Sequence, residues 1–438
     1  MRLPESAAVA SHIATTLIAH NYTAYLVGGC VRDLLLGLDP KDYDVATSAT
    51  PAQVAALFPD TEFVGAHFGV VIVHREGQPV EVATFRSDND YLDGRRPTSV
   101  TYETDPAKDA LRRDFTINAL FYDVQEDRIL DFTGGRADLD AGIIRAIGNP
   151  LDRFAEDYLR MLRAVRFAAR FGYAIEPATL GAIRQLHVEI EGISAERVRQ
   201  ELNRILTEGG ARRGFELLNE TELLDVLLPE VKAMQGVQQP PQFHPEGDVW
   251  THTLMMLEGL RNPTVTQAWG VLLHDVAKPP TFTFTDRIRF NGHAELGAEM
   301  SREMLGRLRM SNDEVHQVHD LVLNHMKFKD VPKMKPSTLK RFLRQPHFEE
   351  HLELHRLDCL SGSGRLDNYE FVCEKLKELA PADLRPPRLI DGEDLITLGY
   401  AQGPLFKLIL KAVEDAQLEG TLNMHEAALG WVREHFPL

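Results

Sequence analysis

The sequence predicts an α+β head followed by an all-α neck, body and tail. Up to about residue 145, short apolar runs alternate with helix-period segments, and from Arg145 onward a 3.6-residue periodicity dominates. The length, 438 residues, asks for two to four cores rather than one. We divide the chain into a head (1–145), a helical neck (146–235), a third region (236–364) and a helical tail (365–438).

The elements follow in order. "MRLPESAAVASHIATTLIAH" reads as a polar-faced helix rather than a secretion signal. "LVGG" is an apolar strand closing on Gly28 and Gly29, and "VRDLLLG" continues as a helical turn. Asp42 and Asp44 then alternate along a second strand, sharing one face while Tyr43 takes the other. "EFVGAHFGVVIVHREGQPVEVATFR" reads as two strands joined by a Glu-Gly-Gln-Pro turn. "FAEDYLRMLRAVRFAARFGY", "SAERVRQELNRIL" and "GARRGFELLNETELLDVLL" read as helices, with Ser194 a suitable N-cap. "QGVQQPPQFHPEGD" is rich in Pro and polar residues and reads as a linker or loop. A further helical block runs to about Gly364, and "LAPADLRPPRLIDGEDL" breaks it from the terminal helices.

Composition narrows the class. Hydrophobic residues at 44% and charged residues at 26% suit a soluble globular protein. No apolar run approaches the roughly 18 residues that span a bilayer, so no membrane partner is expected. Cys30, Cys359 and Cys373 form no paired framework, which points to a reducing cytoplasm. Cys359 and Cys373 lack a CxxC partner, which argues against a zinc site. The net charge of −17 argues against nucleic-acid binding through the whole surface and leaves room for a local basic groove.

The chemistry concentrates first around residues 28–44. Glycines at a strand-to-helix junction let backbone N–H groups approach an anion, and Arg32 could add a fork of donors. Alone, the pair is more often a tight turn. Asp42 and Asp44 change that balance, because two close carboxylates repel and the usual remedy is a cation. Mg²⁺ accepts carboxylate and phosphate oxygens together. Glu81, on a later strand, is either a third carboxylate or a solvent-facing strand residue.

Arg160, Arg163, Arg166 and Arg170 fall within an arc of roughly 120° on a helical wheel. Tyr158, Met161, Leu162, Val165, Ala168 and Ala169 occupy the other side. The arginine face is either a solvated surface or a binding surface.

"GGCVRDLLLGLDPKDYDVAT" resembles the signature of the class II tRNA nucleotidyltransferase and bacterial poly(A) polymerase family, one of the polymerase-β-like nucleotidyltransferases. "YLDGRRPTSV" resembles that family's flexible basic loop, and "RRDFTINALFYD" its second head motif. "EDYLRMLRAVRFAARFGY" resembles its nucleotide-selecting helix, and "ERVRQELNRIL" its neck helix. The likeness covers roughly the first 215 residues.

It implies catalysis by Asp42, Asp44 and Glu81 with Mg²⁺ on Asp42 and Asp44, and phosphates on Gly28, Gly29 and Arg32. It further implies base contacts by Asp157 and Arg160, with Glu156 orienting Arg160. Arg112, Arg113, Asp114 and Asn118 would contact sugar, phosphates or loop. Arg163 and Arg166 are further nucleotide-binding candidates, and Arg95 and Arg96 would help switch specificity.

A second constellation lies in the helical half. His252, His274, Asp275, His293, His325 and Asp358 follow the order H…HD…H…H…D, with His274 and Asp275 read onto an apolar helix. The set resembles the HD-superfamily metal phosphohydrolases. It implies a divalent ion (Mg, Mn, Ni or Co) and hydrolysis of nucleotide or RNA ends, or else a purely structural HD fold. Lys278 either assists phosphate binding or caps a helix.

The expected function is template-independent addition of C, C and A to tRNA 3′ ends from CTP and ATP, with release of pyrophosphate. tRNA would be held largely by backbone charge and shape, with "ARRGF" at Ala211 a candidate contact. Poly(A) polymerase is the near alternative, disfavoured by Ala66 and His67 where its bacterial members carry a basic Arg-Arg-Phe segment. Specialists adding only A or only CC are others, the intact "YLDGRRP" arguing against the latter. A metal phosphohydrolase with an RNA-binding head is the alternative from another class.

Overall fold

The computed structural model describes residues 3–65, 69–91, 97–242 and 244–438. The expectations placed on Ala66, His67, Arg95 and Arg96 lie outside the described residues. The chain divides into two compact units, Met1–Lys232 with Arg307–Arg309, and Ala233–Gly306 with Met310–Leu438.

The first unit opens with α1 (Ala8–Ala19), which buries Val9, Ala10, Ile13, Ala14 and Leu17 at helical spacing. The head elements are β1 (Ala24–Val27), α2 (Gly29–Leu35), β2 (Asp44–Thr47), α3 (Pro51–Leu57), β3 (Thr61–Gly65), β4 (Val70–Arg75) and β5 (Gln78–Thr84). They continue through β6 (Arg86–Tyr91), β7 (Pro97–Tyr102), α4 (Pro106–Leu111), β8 (Leu120–Asp123), β9 (Arg128–Asp131) and α5 (Gly135–Ala141). Seven strands form one sheet in the order β3-β4-β5-β2-β1-β8-β9, with β2 and β5 parallel. Val27, Ala46, Phe85, Ala110, Ala119, Phe121 and Ile147 pack together as one buried cluster.

Two expectations are corrected here. Glu62–Gly65 belongs to a third strand, β3, antiparallel to β4. The β4–β5 turn is only Glu76-Gly77, because both residues take positive φ (54° and 76°) and Arg75 already pairs with Gln78. A two-residue turn with both φ positive matches the twist of the strands it joins. Gln78 and Pro79 are therefore strand, not turn.

The neck holds β10 (Ile143–Ile144), α6 (Pro150–Glu156), α7 (Leu159–Phe171), β11 (Ala174–Ile175), α8 (Pro177–Leu186), α9 (Ala195–Thr207), α10 (Ala211–Glu220), α11 (Leu223–Leu227) and α12 (Pro229–Lys232). The segment expected to be one helix through Arg170 is broken: Asp157 is extended (φ −160°, ψ 101°) between α6 and α7. Ser194 stands at the N-cap of α9, but its side chain makes no capping hydrogen bond. The apolar side of α7 (Met161, Leu162, Val165, Ala168, Ala169) is buried, and α9 and α10 pack on that helix. Contact is tight enough that a Cβ on Gly210 would lie 2.2 Å from the Ala169 carbonyl oxygen, so only glycine fits there.

The second unit is helical: α13 (Val249–Gly259), α14 (Val265–Leu273), α15 (Lys278–Thr281), α16 (His293–Arg307), α17 (Asn312–Asn324), α18 (Pro336–Leu343), α19 (Phe348–Ser361) and α20 (Asp367–Glu378). A hairpin of β12 (Phe282–Phe284) and β13 (Ile288–Phe290) interrupts them. α13, α14, α17 and α19 pack on one another around the fully buried Trp269. The tail adds α21 (Pro381–Leu384), α22 (Gly392–Thr397), α23 (Pro404–Leu418) and α24 (His425–His435), whose core includes Leu395, Tyr400, Ile409, Val413 and Val432. Among the described residues, no helix is long and apolar enough to cross a membrane.

Candidate functional site

The head site grows from the sheet. Parallel pairing of β2 and β5 sets Asp44 opposite Glu81, and antiparallel pairing sets Asp44 opposite Val27. The next residue, Gly28, takes φ +77°, turning the chain into α2; a Cβ there would sit 3.2 Å from Arg113 Nη1. The glycine thus gives Arg113 access to the strand end. Asp42 lies just before β2 rather than in it, which corrects the expectation that both aspartates are strand residues. Alternation survives: Asp42 is exposed, Tyr43 is buried with its hydroxyl 2.9 Å from Ser6 Oγ, and Asp44 is half-buried. Burial, then the charges of Glu81 and Asp42, push the Asp44 carboxyl up to about 6 against the opposing pull of Arg113. Like charges this close bind a proton or a cation, so the donor set suits a divalent ion with oxygen ligands.

Beside this acidic edge lies a cavity of about 490 Å³, large enough for a nucleotide. Nine arginines line it: Arg32, Arg112, Arg113, Arg160, Arg163, Arg166, Arg170, Arg197 and Arg204. Gly28, Gly29, Asp44, Asp114, Asn118 and Asp157 share the lining. Such an excess of positive charge fits a polyanion.

The arginines are tied in different ways. Asp157 receives a two-bond fork from Arg197 of α9 (3.1 and 2.7 Å). Arg160 reaches Glu156 Oε2 at 2.5 Å and the Arg153 carbonyl at 2.9 Å. Arg163 forks onto Asp114 at 2.8 and 2.6 Å, and Asp114 also accepts from Asn118. Burial opposes the charge on Asp114, yet Arg163 and Asn118 hold its carboxyl well below the usual range. Arg32 is buried and bonded to Asp33 and Asn118. Arg166 is only 1% exposed and pairs with Glu201 at 2.6 Å, tying α7 to α9 beside the cavity it helps to line. The wheel located its face but could not show the acids waiting there. Arg197, which the sequence left unassigned, is the partner that fixes Asp157.

The second unit assembles the other constellation. His274 and Asp275 sit in the turn after α14, not within a helix, because α14 ends at Leu273. Asp275 Oδ1 lies 3.6 Å from His293 Nε2 and 3.8 Å from His325 Nε2, and Oδ2 lies 3.1 Å from His274 Nε2. His252 Nε2 approaches Asp358 Oδ1 at 3.1 Å. The Nδ1 atoms of His274, His293 and His325 lie 2.8, 2.7 and 2.6 Å from the carbonyls of Val271, Phe290 and Val322. Donation there fixes the tautomer and leaves each Nε2 lone pair facing the cluster.

Two residues were missed. Glu246 Oε1 lies 2.6 Å from His252 Nδ1 and 2.9 Å from His244 Nδ1. Both Glu246 and His244 fall in the segment read as a linker, where proline content masked them. Lys278 bridges Asp275 (2.6 Å) and Gln239 (2.6 Å).

Electrostatics sort this cluster. Burial disfavours charge on His252, but Asp358 and Glu246 push it up to about 9. Burial and the neighbouring His274 take His325 down to about 3, keeping it a neutral donor. Burial also opposes the charge on Asp275, yet His274 and Lys278 hold it well below the usual range. His274 Nε2 is buried, and among the described residues Asp275 Oδ2 is the polar atom that lies against it, at 3.1 Å. Imidazole nitrogens and carboxylates in groups such as Asp275, His293 and His325 fit a divalent metal.

Comparison with known proteins agrees with both halves. Residues 24–145 match the family "Poly A polymerase head domain", 172–235 match "Probable RNA and SrmB- binding site of polymerase A", and 249–355 match "HD domain". The chain is 31% identical to a CCA-adding enzyme of Lactobacillus johnsonii over 98% of its own length and 97% of that protein's. It is 46% identical to one from Geobacillus stearothermophilus over 62% of this chain and 71% of that protein. The crystal structure of the Bacillus stearothermophilus CCA-adding enzyme in complex with CTP superposes with a TM-score of 0.75, at 29% identity, over 99% of this chain and 98% of that one.

Proposed function

The chain belongs to the CCA-adding enzymes, and from that premise we propose that it adds C, C and A to the 3′ end of tRNA, using CTP and ATP. The observation that carries this reading is the juxtaposition of Asp42, Asp44 and Glu81 with a nucleotide-sized cavity lined by nine arginines. The terminal hydroxyl oxygen of the tRNA joins the α-phosphorus, its proton leaves, and the bond to pyrophosphate breaks. Mg²⁺ held by Asp42 and Asp44, with Glu81 beside them, would lower the pKa of the hydroxyl and offset charge on the departing pyrophosphate. The protein's own share is positioning and charge. The backbone N–H of Gly29 and the guanidinium of Arg113 would meet the triphosphate, while the Gly28 N–H, donated to the Leu120 carbonyl at 3.1 Å, fixes the turn that presents them. Arg163, Asp114, Asn118 and Arg32 form a linked set that fixes the wall beside it.

Base choice falls to Asp157 and Arg160. A carboxylate accepts from the exocyclic amine of either cytosine or adenine, and a guanidinium donates to the adjacent ring nitrogen. Uracil and guanine present the opposite pattern on that edge. Glu156 and Arg197 hold the two readers in place.

We assign 1–145 to catalysis, 146–235 to base selection and RNA contact, 236–364 to the HD region and 365–438 to the tail. The HD cluster supports a second activity, hydrolysis of a phosphate ester. There water oxygen joins phosphorus and the ester oxygen leaves with a proton. Mg, Mn, Ni and Co are the ions its nitrogen and oxygen donors would take. A reducing cytoplasm is the proposed location, since Cys30, Cys359 and Cys373 are all free.

The test is incorporation of labelled CTP and ATP into tRNA transcripts ending before CCA, after C and after CC. Extension of all three to a stop after A is the expected result. Extension of the last alone would make the protein an A-adding specialist, and unlimited A addition a poly(A) polymerase. No incorporation with Mg²⁺ present would overturn the head assignment.

A further inference from the structure

The HD donors form part of the lining of a cavity of about 1070 Å³, whose other wall is the β12–β13 hairpin. That hairpin puts apolar side chains where they are not covered. Phe284 is 68% exposed and Phe282 41% exposed. In the register of the pair, Phe282 stands opposite Phe290 and Phe284 opposite Ile288, so all four share one face. Phe284, Ile288 and Phe290 line the cavity with that face.

The rings also form a row leading inward. Centroids of Phe282 and Phe290 are 5.9 Å apart, Phe290 and His293 6.5 Å, and His293 and His325 5.2 Å. The row that begins at the HD imidazoles thus ends at Phe282, and Phe284 stands two residues along on the same face of the hairpin, opposite Ile288. The same cavity is lined by Arg287 and Lys329, both exposed, and among the described residues neither has an ion-pair partner.

Three chemistries thus meet in one hollow: nitrogen and carboxylate donors, free cations, and an uncovered aromatic face. Orthophosphate would use the first two and leave the third without purpose. A nucleoside phosphate uses all three, since a base has a flat face for Phe284 and a phosphate has oxygens for both cations and metal. A base inside a duplex has its faces already covered, so the occupant must be unpaired.

We propose that the β12–β13 hairpin is a base platform, on which Phe284 stacks an unpaired nucleobase while Arg287 and Lys329 steer its phosphate ester toward the HD donors. This deepens the hydrolase reading and rests on it for the fate of the ester, but not for the binding. A free nucleotide and a single-stranded RNA end carry the same chemistry.

The full chain is irradiated with 5-iodouridine 3′-monophosphate, and adducts are mapped by mass spectrometry. An adduct on the peptide carrying Phe284, lost in Phe284→Ala and kept in Phe284→Trp, is expected. Adducts confined to the head, or an unchanged yield in Phe284→Ala, would overturn the platform. A single strand ending in the same nucleotide competes for the adduct and a blunt duplex does not; equal competition by the duplex overturns the requirement for an unpaired base. Whichever of mononucleotide and single strand competes at lower concentration names the source.

With Mn²⁺ added, Phe284→Ala raises KM for uridine 3′-monophosphate about tenfold and changes that for glycerol 2-phosphate, which has no flat ring to stack, by less than about twofold. Equal rises for both would overturn the stacking role. An adduct at Phe284 with neither ester hydrolysed upholds the platform and refutes the hydrolase reading instead.

Discussion

In the head, Asp42 and Glu81 are exposed and Asp44 is half-buried, with an arginine-lined hollow alongside. In the HD centre, Asp275 and His274 are at most 2% exposed, and His274, His293 and His325 are each placed by a backbone carbonyl. The two regions use similar ligand types under opposite constraints. The head leaves its carboxylates mutually repelling and open beside an arginine-lined hollow, so its charge balance would be completed by a cation that arrives with the triphosphate. The HD centre has its charges matched in advance by Lys278, Glu246 and the imidazoles, so it suits a resident ion. A site that binds and releases on every cycle is held loosely, and a resident site is built into the core.

The strongest way to break this contrast is to remove one aspartate from each region. Asp275→Ala strands the buried Lys278 and should cost about 3–5 kcal/mol of stability. Asp42→Ala removes an exposed carboxylate and should change stability by less than about 0.5 kcal/mol. Thermal melts of the two variants check this, and equal losses would end the distinction.

A medium effect sharpens the head's side of it. Arg197→Ala leaves Asp157 without its fork, and discrimination against UTP and GTP should fall about 10–100-fold in kcat/KM. Arg197→Lys restores charge but not the paired geometry, so it should recover only part of the loss.

The smallest effect is in pH. Asp44 keeps its proton up to about pH 6 in the folded chain, against about 3.9 unfolded. The metal-free protein therefore has the contribution of this proton in full below about pH 4 and loses it as pH rises from about 4 to about 6, by about 1–2 kcal/mol. Added Mg²⁺ should stabilise at pH 7.5 and progressively less toward pH 5. Asp44→Asn should flatten the trend in the melting temperature.

Local signals made much of this legible. Gly28 and Gly29 announce a turn that needs positive φ, and the spacing of Asp42 and Asp44 survives although only Asp44 lies in the strand. His274-Asp275 stands out because a polar pair after an apolar run needs partners. What escaped was whatever depends on a partner distant in sequence. A helical wheel gives Arg166 a face but cannot show Glu201, the acid that pairs with it there. Asp157 looks helical by period, and its extended backbone is held by Arg197, forty residues on. Glu246 sits among prolines and glycines that signal a loop, and loop composition says nothing about a carboxylate 2.6 Å from His252. The Glu76-Gly77 turn failed for a narrower reason: Pro79 drew the boundary too far, although an edge of the strand tolerates it.

The most direct test of two separate chemistries crosses one variant from each region with both assays. Asp44→Asn and His293→Asn are each measured for CTP and ATP incorporation into a tRNA transcript lacking CCA, and for phosphate release from a nucleoside monophosphate with Mn²⁺. The account predicts that Asp44→Asn abolishes incorporation and spares phosphate release, and that His293→Asn does the reverse. Loss of both activities in either variant, or incorporation that survives Asp44→Asn, would contradict it.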